Sequence, residues 1–156
     1  YYEQISLGLN YRMTDVHAAL GISQLKRLEK FIEKRNSLAS RYRKKLEKFN
    51  IGLQYVPENI WSSYHLFVIR ILEGRSQNLR QKIFLDLREN NINVNVHYIP
   101  IHLQPYYKNM GFKYGDFPQA EKYYEEAITL PLYPSLSLNQ QDYVVDCLEQ
   151  SLQKYQ

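Results

Sequence analysis

The 156-residue chain contains a single cysteine, Cys147. One thiol cannot form a disulfide within the chain and offers no thiolate cluster for zinc. The sequence also lacks any apolar run near the roughly 20 residues that a membrane helix needs, so we expect a protein of the cytoplasm with no membrane partner. The chain begins Tyr1-Tyr2-Glu3, with neither a methionine nor a signal peptide, so we expect a fragment of a longer protein.

Sequence motifs of a complete active site are also missing. There is no glycine-rich phosphate loop, no G-x-S-x-G elbow and no paired-carboxylate signature. None of the eleven lysines lies in the apolar surroundings that covalent lysine chemistry requires. His97 and His102 lie five residues apart across Pro100, but no third ligand accompanies them, so we expect no metal site.

The chain is long enough for one domain with a sizeable core, and its longest pattern is helical. Thr14 can cap a helix, and the residues that follow to position 49 contain no proline and one glycine, Gly21. Apolar residues recur there at alternating steps of three and four, which predicts one long helix over 14–49 with a buried face that only Arg35 interrupts. The apolar members of that face are Leu25, Leu28, Ile32, Ala39, Tyr42, Leu46 and Phe49.

The remaining sequence predicts short strands and further helices. In order, these are a short strand and loop over 51–63, a strand covered on both faces over 64–72, a helix from a Ser76 cap to Asn90, a strand over 92–98, a helix from Pro118, and a last helix from a capping box at 137–140. For the helix from Pro118 we expect five residues to face inward: Ala120, Tyr123, Tyr124, Ala127 and Ile128. The elements predict a mixed α/β (α+β) fold with helices over a small sheet.

Two polar segments are candidates for ligand binding. Asn10 and Arg12 lie just before the predicted cap at Thr14, and a helix N-terminus attracts anions. A local role is open too, in which Asn10 caps a turn and Arg12 pairs with a nearby carboxylate. Asn95 and His97 share the polar face of the strand over 92–98 with another amide, which suits a sugar hydroxyl, a uracil edge or a phosphate. That face can equally be the hydrated side of an edge strand.

The charge of the long helix is the third candidate. Residues 26–48 contain ten basic and three acidic side chains, a net +7, which leaves −3 for the rest of a chain whose total is +4. Such a stripe can contact nucleic acid or line a coiled coil. The charges surround the helix away from its apolar face, however, and no nucleic-acid motif accompanies them. We therefore expect a solvated face and no nucleic-acid partner.

Four strings carry a family resemblance: LGLNYRMTDVHAALGISQLKRLEKFIEKR, SSYHLFVIRI, VNVHYIPIHLQPYY and ITLPLYPSLS. In this order and spacing they resemble the DegT/DnrJ family of pyridoxal-phosphate-dependent nucleotide-sugar aminotransferases, and the resemblance covers essentially the whole chain. The string VNVHYIPIHLQPYY looks most like the members that aminate C4 of a UDP-linked 4-keto-6-deoxy-N-acetylhexosamine in pseudaminic acid biosynthesis.

The resemblance implies a particular domain organisation. It covers the C-terminal part of a fold-type I aminotransferase, with a loop from the large domain over 1–13, a linking helix over 14–49 and a small domain over 50–156. The small domain would carry a mainly antiparallel sheet. In the family, the lysine that anchors pyridoxal 5′-phosphate lies in the N-terminal large domain, so this chain alone would be inactive. It would need that domain and a homodimer partner.

The resemblance also implies site residues. Asn10 and Arg12 would bind the cofactor phosphate across the dimer interface, and Asn10 would also contact the substrate. The substrate-binding residues implied further along the chain are Asn95, Val96, His97, Tyr98 and His102. No residue of this chain would be the catalytic acid or base.

The implied reaction is ping-pong transamination from glutamate to the UDP-linked keto sugar. Two other functions stay open. One is a non-catalytic binding or assembly module that uses the basic, coiled-coil-like helix. The other is a degenerate family member that acts as a sensor or regulator.

Overall fold

The computed structural model describes residues 3, 5–9, 11–72 and 78–155. It contains six α-helices in this part of the chain: α1 (Asp15–Leu25), α2 (Leu28–Leu46), α3 (Leu79–Glu89), α4 (Pro105–Lys108), α5 (Pro118–Glu126) and α6 (Leu138–Tyr155). Three strands, β1 (Ile51–Leu53), β2 (Phe67–Ile71) and β3 (Ala127–Leu130), and a 3-10 helix (Ile101–Leu103) complete the described elements. The predicted mixed α/β fold is confirmed.

The helix predicted over 14–49 is divided into α1 and α2. The Thr14 cap is present, because its Oγ1 accepts a hydrogen bond from the His17 N–H at 3.3 Å. At Arg27 the backbone N–H bonds to the Gln24 carbonyl three residues earlier (3.0 Å), which tightens the turn and ends α1. The expectation of one continuous helix was wrong, since neither proline nor glycine marks this break.

Burial of the long apolar face is confined to its second half. Tyr42 and Leu46 of α2 are fully enclosed, whereas Leu25 is 67% exposed and Leu28 45% exposed. The prediction that Leu25 and Leu28 are buried was therefore wrong for the described residues. The apolar side chains of α1 have no covering layer in the part of the chain that the structure describes.

The three strands form an antiparallel sheet in the order β1-β2-β3. Phe67 of β2 faces Leu130 of β3, and Ile71 faces Ile51 of β1. Burial alternates along β2, with Phe67, Ile69 and Ile71 enclosed and the residues between them half-buried. The strand predicted over 64–72 is thus shorter, and only one of its faces is fully covered.

The strand predicted over 92–98 is largely absent. Ile92 and Val94 are buried as the alternation predicts, but pairing is limited to one antiparallel bridge between Asn95 and Thr129. Tyr98, expected on the buried face, is 71% exposed. A strand needs a partner along its length, and β3 offers one only at Thr129.

The helix from Pro118 begins as predicted but buries different residues. Ala120 and Tyr123 are exposed, whereas Glu121 and Glu126 are enclosed. Ala127 and Ile128 belong to β3, although the sequence pattern predicted that they lie in the helix. The helix ends early because its last residues pair with β2.

The last helix is the best-predicted element. Ser137 Oγ accepts from the Gln140 N–H (3.2 Å), and Gln140 Oε1 accepts from the Ser137 N–H (2.9 Å), so the capping box is formed. The four residues predicted to be buried in α6 are buried: Val144, Cys147, Leu148 and Leu152. The predicted cap Ser76 lies outside the described residues. Within those residues, no helix combines the length and the apolar character needed to cross a membrane.

Half of the ten basic side chains of residues 26–48 form hydrogen bonds or ion pairs with other parts of the domain. Arg41 forms two hydrogen bonds to Asp142 of α6 at 2.7 and 2.8 Å, and Lys48 pairs with Glu149 of α6 at 2.7 Å. Five of the ten basic side chains contact other elements in this way: Arg35, Arg41, Arg43, Lys45 and Lys48. These contacts fasten α2 and the residues just after it to α6, to the end of β1 and to nearby loops.

Candidate functional site

The predicted anion site precedes α1. Arg12 is exposed and lies two residues before the Thr14 cap of α1, and the N-terminus of a helix attracts anions. Asn10 lies outside the described residues. Neighbouring Tyr11 and Met13 are both strongly exposed, at 91% and 75%. This segment therefore presents its side chains outward from the domain.

The predicted substrate segment is attached to β3 through Thr129. The Thr129 N–H donates to the Asn95 carbonyl at 2.7 Å, and the Thr129 Oγ1 lies 2.8 Å from His97 Nδ1. The Tyr98 ring packs edge-on against the His97 ring at 4.6 Å between centroids. The structure thus places Asn95, His97 and Tyr98 on one short segment that bends at His97, with Val96 half-buried between them. Thr129 was not predicted as a site residue from the sequence, because its partner His97 lies 32 residues earlier in the chain.

His102 is placed differently from the exposed residues of that segment. It is 6% exposed, and its Nε2–H donates to Glu121 Oε1 at 2.7 Å. Its ring also packs against Phe117 at 4.8 Å between centroids. The imidazole is enclosed by the protein, and one of its two nitrogens is occupied by a carboxylate.

Glu121 is the second partner of this buried pair, and sequence reasoning missed it. Its carboxylate also accepts from the Gly115 N–H (2.8 and 2.9 Å) and the Phe117 N–H (3.3 Å). Burial alone would raise the pKa of Glu121, but the hydrogen bonds from His102, Gly115 and Phe117 outweigh it and hold the pKa below its usual value. The carboxylate is therefore charged at neutral pH.

Residues 100–117 form what we call the aromatic loop. It includes the 3-10 helix and α4, and its rings contact one another in sequence, for example Tyr107 against Phe112 and Phe112 against Phe117. Its large apolar side chains that remain exposed are Ile101, Tyr106, Tyr107, Met110, Phe112, Tyr114 and Phe117.

Arg35, which interrupts the predicted apolar face, joins three segments of the domain. Its Nη1 donates to the carbonyls of Tyr64 (2.9 Å), His65 (3.0 Å) and Leu132 (3.2 Å). Tyr64 adopts a left-handed backbone with φ 43°, which is unfavourable for a bulky residue and needs support from its surroundings. Leu132 lies three residues after Thr129, so this contact and the substrate segment meet at the same end of β3.

A largely apolar groove of about 500 Å³ lies beside this contact. It is lined by Leu28, Phe31, Ile32, Arg35, Ser63, His65, Pro134 and Ser135. None of the eleven lysines, all of which are described, is buried, and Lys45, the least exposed, is paired with Asp142. Among the described residues no group of three or more metal-ligating side chains is present.

Comparison with known proteins identifies the family. The model of the DegT/DnrJ/EryC1/StrS aminotransferase family matches residues 1–149. The spore coat polysaccharide biosynthesis protein SpsC of Bacillus subtilis is 37% identical over 151 residues, which cover 95% of this chain and 39% of that protein. MJ1066 of Methanocaldococcus jannaschii, a protein without a described function, is 39% identical over 88% of this chain and 36% of its own length.

Solved structures agree with this assignment. Spr1654 of Streptococcus pneumoniae, described as a sugar aminotransferase, was solved in a form with pyridoxal phosphate; it is 34% identical, with a TM-score of 0.86 over 92% of this chain and 37% of that one. PseC of Helicobacter pylori, an aminotransferase involved in pseudaminic acid biosynthesis, is 25% identical, with a TM-score of 0.87 over 98% of this chain and 41% of that one.

The chain spans less than two-fifths of the length of the curated relatives it matches. The matched region nevertheless includes almost every described element, and the cofactor expected from the sequence is the one held by a neighbouring structure. The chain therefore belongs to the DegT/DnrJ/EryC1/StrS aminotransferase family.

Proposed function

We propose that this chain is the C-terminal part of an aminotransferase that moves an amino group from glutamate to a UDP-linked 4-keto-6-deoxy-N-acetylhexosamine. The observation that carries the proposal is the likeness to sugar aminotransferases over nearly the whole chain, PseC among them. The substrate segment 95–98 supports it, because the exposed amide of Asn95, the half-buried imidazole of His97 and the exposed phenol of Tyr98 suit a sugar nucleotide. The domain division at 1–13, 14–49 and 50–156 belongs to the same proposal.

Pyridoxal phosphate, when bound, supplies the electron sink that lets an amino group move between substrates. We propose that its anchoring lysine lies outside this chain, since the lysines here are exposed or ion-paired. The groups of this chain that fit the cofactor are an exposed guanidinium, Arg12, beside the N-terminus of α1, and the amide of Asn10 in the same segment. Their role is to bind the phosphate, and Asn10 would also contact the substrate.

We further propose that Asn95, Val96, His97 and Tyr98 bind the nucleotide-sugar. The segment is fixed at Thr129 yet leaves Asn95 and Tyr98 exposed, so it combines a rigid support with accessible polar groups. His102 belongs to the same proposed site. Because its ring is enclosed, its contribution is through the position of the loop it begins.

The partners proposed are a large N-terminal domain and a second subunit. The apolar side chains of α1 are exposed in the described chain, and the relatives contain more than half of their length outside the matched region. Apolar surface of this extent is stabilised when another layer covers it. The segment around Arg12, whose described side chains are exposed, would complete the site of the partner subunit.

The proposed substrate segment is tested by steady-state kinetics of the full-length enzyme. Asn95→Ala removes an exposed amide whose Oδ1 accepts from the Val96 N–H at 2.8 Å. We expect a rise of about 10-fold or more in KM for the UDP-keto sugar with kcat/KM for glutamate unchanged. The matched control is Asn93→Ala, which removes another exposed amide two residues earlier. The Oδ1 of Asn93 accepts from Arg88. Equal sugar KM values for wild type and Asn95→Ala would contradict this assignment.

One relative favours a second candidate function. A pleiotropic regulatory protein of Geobacillus stearothermophilus is 33% identical over 94% of this chain. A regulator of this kind would bind the nucleotide-sugar without turning it over. Full-length protein that binds a UDP-sugar but transfers no nitrogen from glutamate would support the regulator and exclude the aminotransferase.

A further inference from the structure

The carboxylate of Glu121 is the most unusual buried group of the described domain. It is 2% exposed, in a core otherwise built mainly from aliphatic and aromatic side chains. A buried charge is costly unless it is fully hydrogen-bonded. An apolar side chain in this place would leave the N–H donors of His102, Gly115 and Phe117 without this acceptor, so the carboxylate fixes the geometry of the groups that donate to it.

All four hydrogen bonds to Glu121 come from the aromatic loop. His102 lies at the start of this loop, and Gly115 and Phe117 lie at its end. One side chain of α5 therefore holds both ends of an 18-residue excursion, and the ring contact between His102 and Phe117 brings the ends together directly. The carboxylate therefore holds the two ends of the aromatic loop together.

The start of the loop continues directly from the proposed substrate segment. Only Ile99 and two further residues separate Tyr98 from His102, so a displacement of His102 is transmitted to Tyr98 and His97 through a few backbone bonds. The opposite end of that segment is fixed by the bridge between Asn95 and Thr129. The segment is thus held at two points, one on β3 and one on α5.

We propose that Glu121 is a positioning residue that sets the orientation of the nucleotide-sugar segment 95–98 through His102 and the closed aromatic loop. The inference rests on the proposed function and adds a residue to it that does not touch substrate. A displacement of about 1 Å at a substrate-binding group can cost up to 10²-fold in rate, which gives the scale of the expected effect.

Glu121→Gln is the sharpest substitution. The Gly115 N–H lies within 3 Å of both carboxylate oxygens, so a glutamine amide in either orientation would direct its NH₂ group at that donor. Size and shape are otherwise kept. The matched control is Glu125→Gln on the same helix, which removes an exposed charge that accepts from the Tyr114 hydroxyl at 2.8 Å.

In the full-length enzyme we expect Glu121→Gln to raise KM for the UDP-keto sugar by about 10-fold or more, with conversion of the bound cofactor by glutamate alone unchanged. Hydrogen–deuterium exchange should show faster exchange at Gly115 and Phe117 in this variant and not in Glu125→Gln. Glu121→Asp, which keeps both acceptor oxygens, should recover part of the sugar KM. An unchanged sugar KM together with unchanged exchange would overturn the proposal.

Two measurements keep the outcomes distinct. If Glu121→Gln fails to fold, His102→Asn is the alternative, because it removes only one of the four hydrogen bonds to the Glu121 carboxylate. We expect His102→Asn to raise the sugar KM and to leave the reaction with glutamate unchanged. An equal loss in both steps would mean a purely structural role and overturn the proposal. If wild-type enzyme binds the cofactor but never aminates a UDP-keto sugar, the proposed function fails, whereas the exchange measurement still decides whether Glu121 holds the loop.

Discussion

Replacement of Arg35 by methionine tests how this domain is held together. In the structure, one guanidinium nitrogen of Arg35 reaches three backbone carbonyls, those of Tyr64, His65 and Leu132, at 2.9 to 3.2 Å. These carbonyls belong to the segment before β2 and the segment after β3. Methionine keeps the length of the apolar stem of arginine and removes the donors, so it isolates the hydrogen bonds from the packing.

The expected magnitude follows from the number of donors. A single Nη1 carries two N–H groups, so it supports at most two full hydrogen bonds among the three carbonyls. Bonds from a charged donor contribute about 1.5–3 kcal/mol each, but His65 is exposed and water can replace its bond. We therefore expect Arg35→Met to lower the free energy of unfolding by about 2–4 kcal/mol, part of which is the loss of support for the left-handed backbone of Tyr64.

Urea denaturation of the chain, followed by circular dichroism, measures this difference. The control is Lys34→Met, an exposed neighbour on the same helix, which should change the free energy of unfolding by less than about 0.5 kcal/mol. A destabilisation of Arg35→Met no larger than that of Lys34→Met would refute the reasoning, because it would mean that the three carbonyls are equally well served by water.

Three further predictions concern stability. Tyr42→Phe removes the hydroxyl that donates to the carbonyl of half-buried Pro131 at 3.1 Å and should cost about 1–2 kcal/mol in urea denaturation, whereas Tyr55→Phe at an exposed site should cost almost nothing. Hydrogen bonds from Lys45 and Arg41 of α2 lower the pKa of Asp142. The contribution of Asp142 to stability is therefore present above about pH 4 and is lost as the pH falls further. Asp142→Asn should accordingly reduce the loss of stability on the acid side of the pH curve. Gly115 has φ +96°, so Gly115→Ala should destabilise by about 1–3 kcal/mol in thermal unfolding, while Gly21→Ala, with open space around its Cβ in α1, should be neutral or stabilising.

Local signals in the sequence predicted the beginnings of elements well. The cap at Thr14 and the capping box at 137–140 depend on side chains within three residues of the groups they bond, so their spacing is visible in the sequence. The buried stripe of α6 follows from helical periodicity for the same reason. These features require no knowledge of the rest of the fold.

Features that depend on distant partners were not predictable in this way. β3 was assigned to the end of a helix because its residues suit either structure, and only pairing with β2 decides between them. Glu121 has the helical position of a surface residue, and its partner His102 lies 19 residues earlier. The exposure of Leu25 shows the converse case, in which the sequence pattern predicts burial and no element of the described chain covers the side chain.

We have proposed that this chain forms part of an enzyme that aminates a nucleotide-sugar with nitrogen from glutamate. The most direct test of this proposal is to incubate the full-length protein and pyridoxal phosphate with a UDP-linked 4-keto-6-deoxy-N-acetylhexosamine and glutamate labelled with heavy nitrogen, and to analyse the product by mass spectrometry and NMR. We predict labelled nitrogen at C4 of the sugar. Full recovery of an unlabelled keto sugar, with cofactor bound to folded protein, would contradict the account.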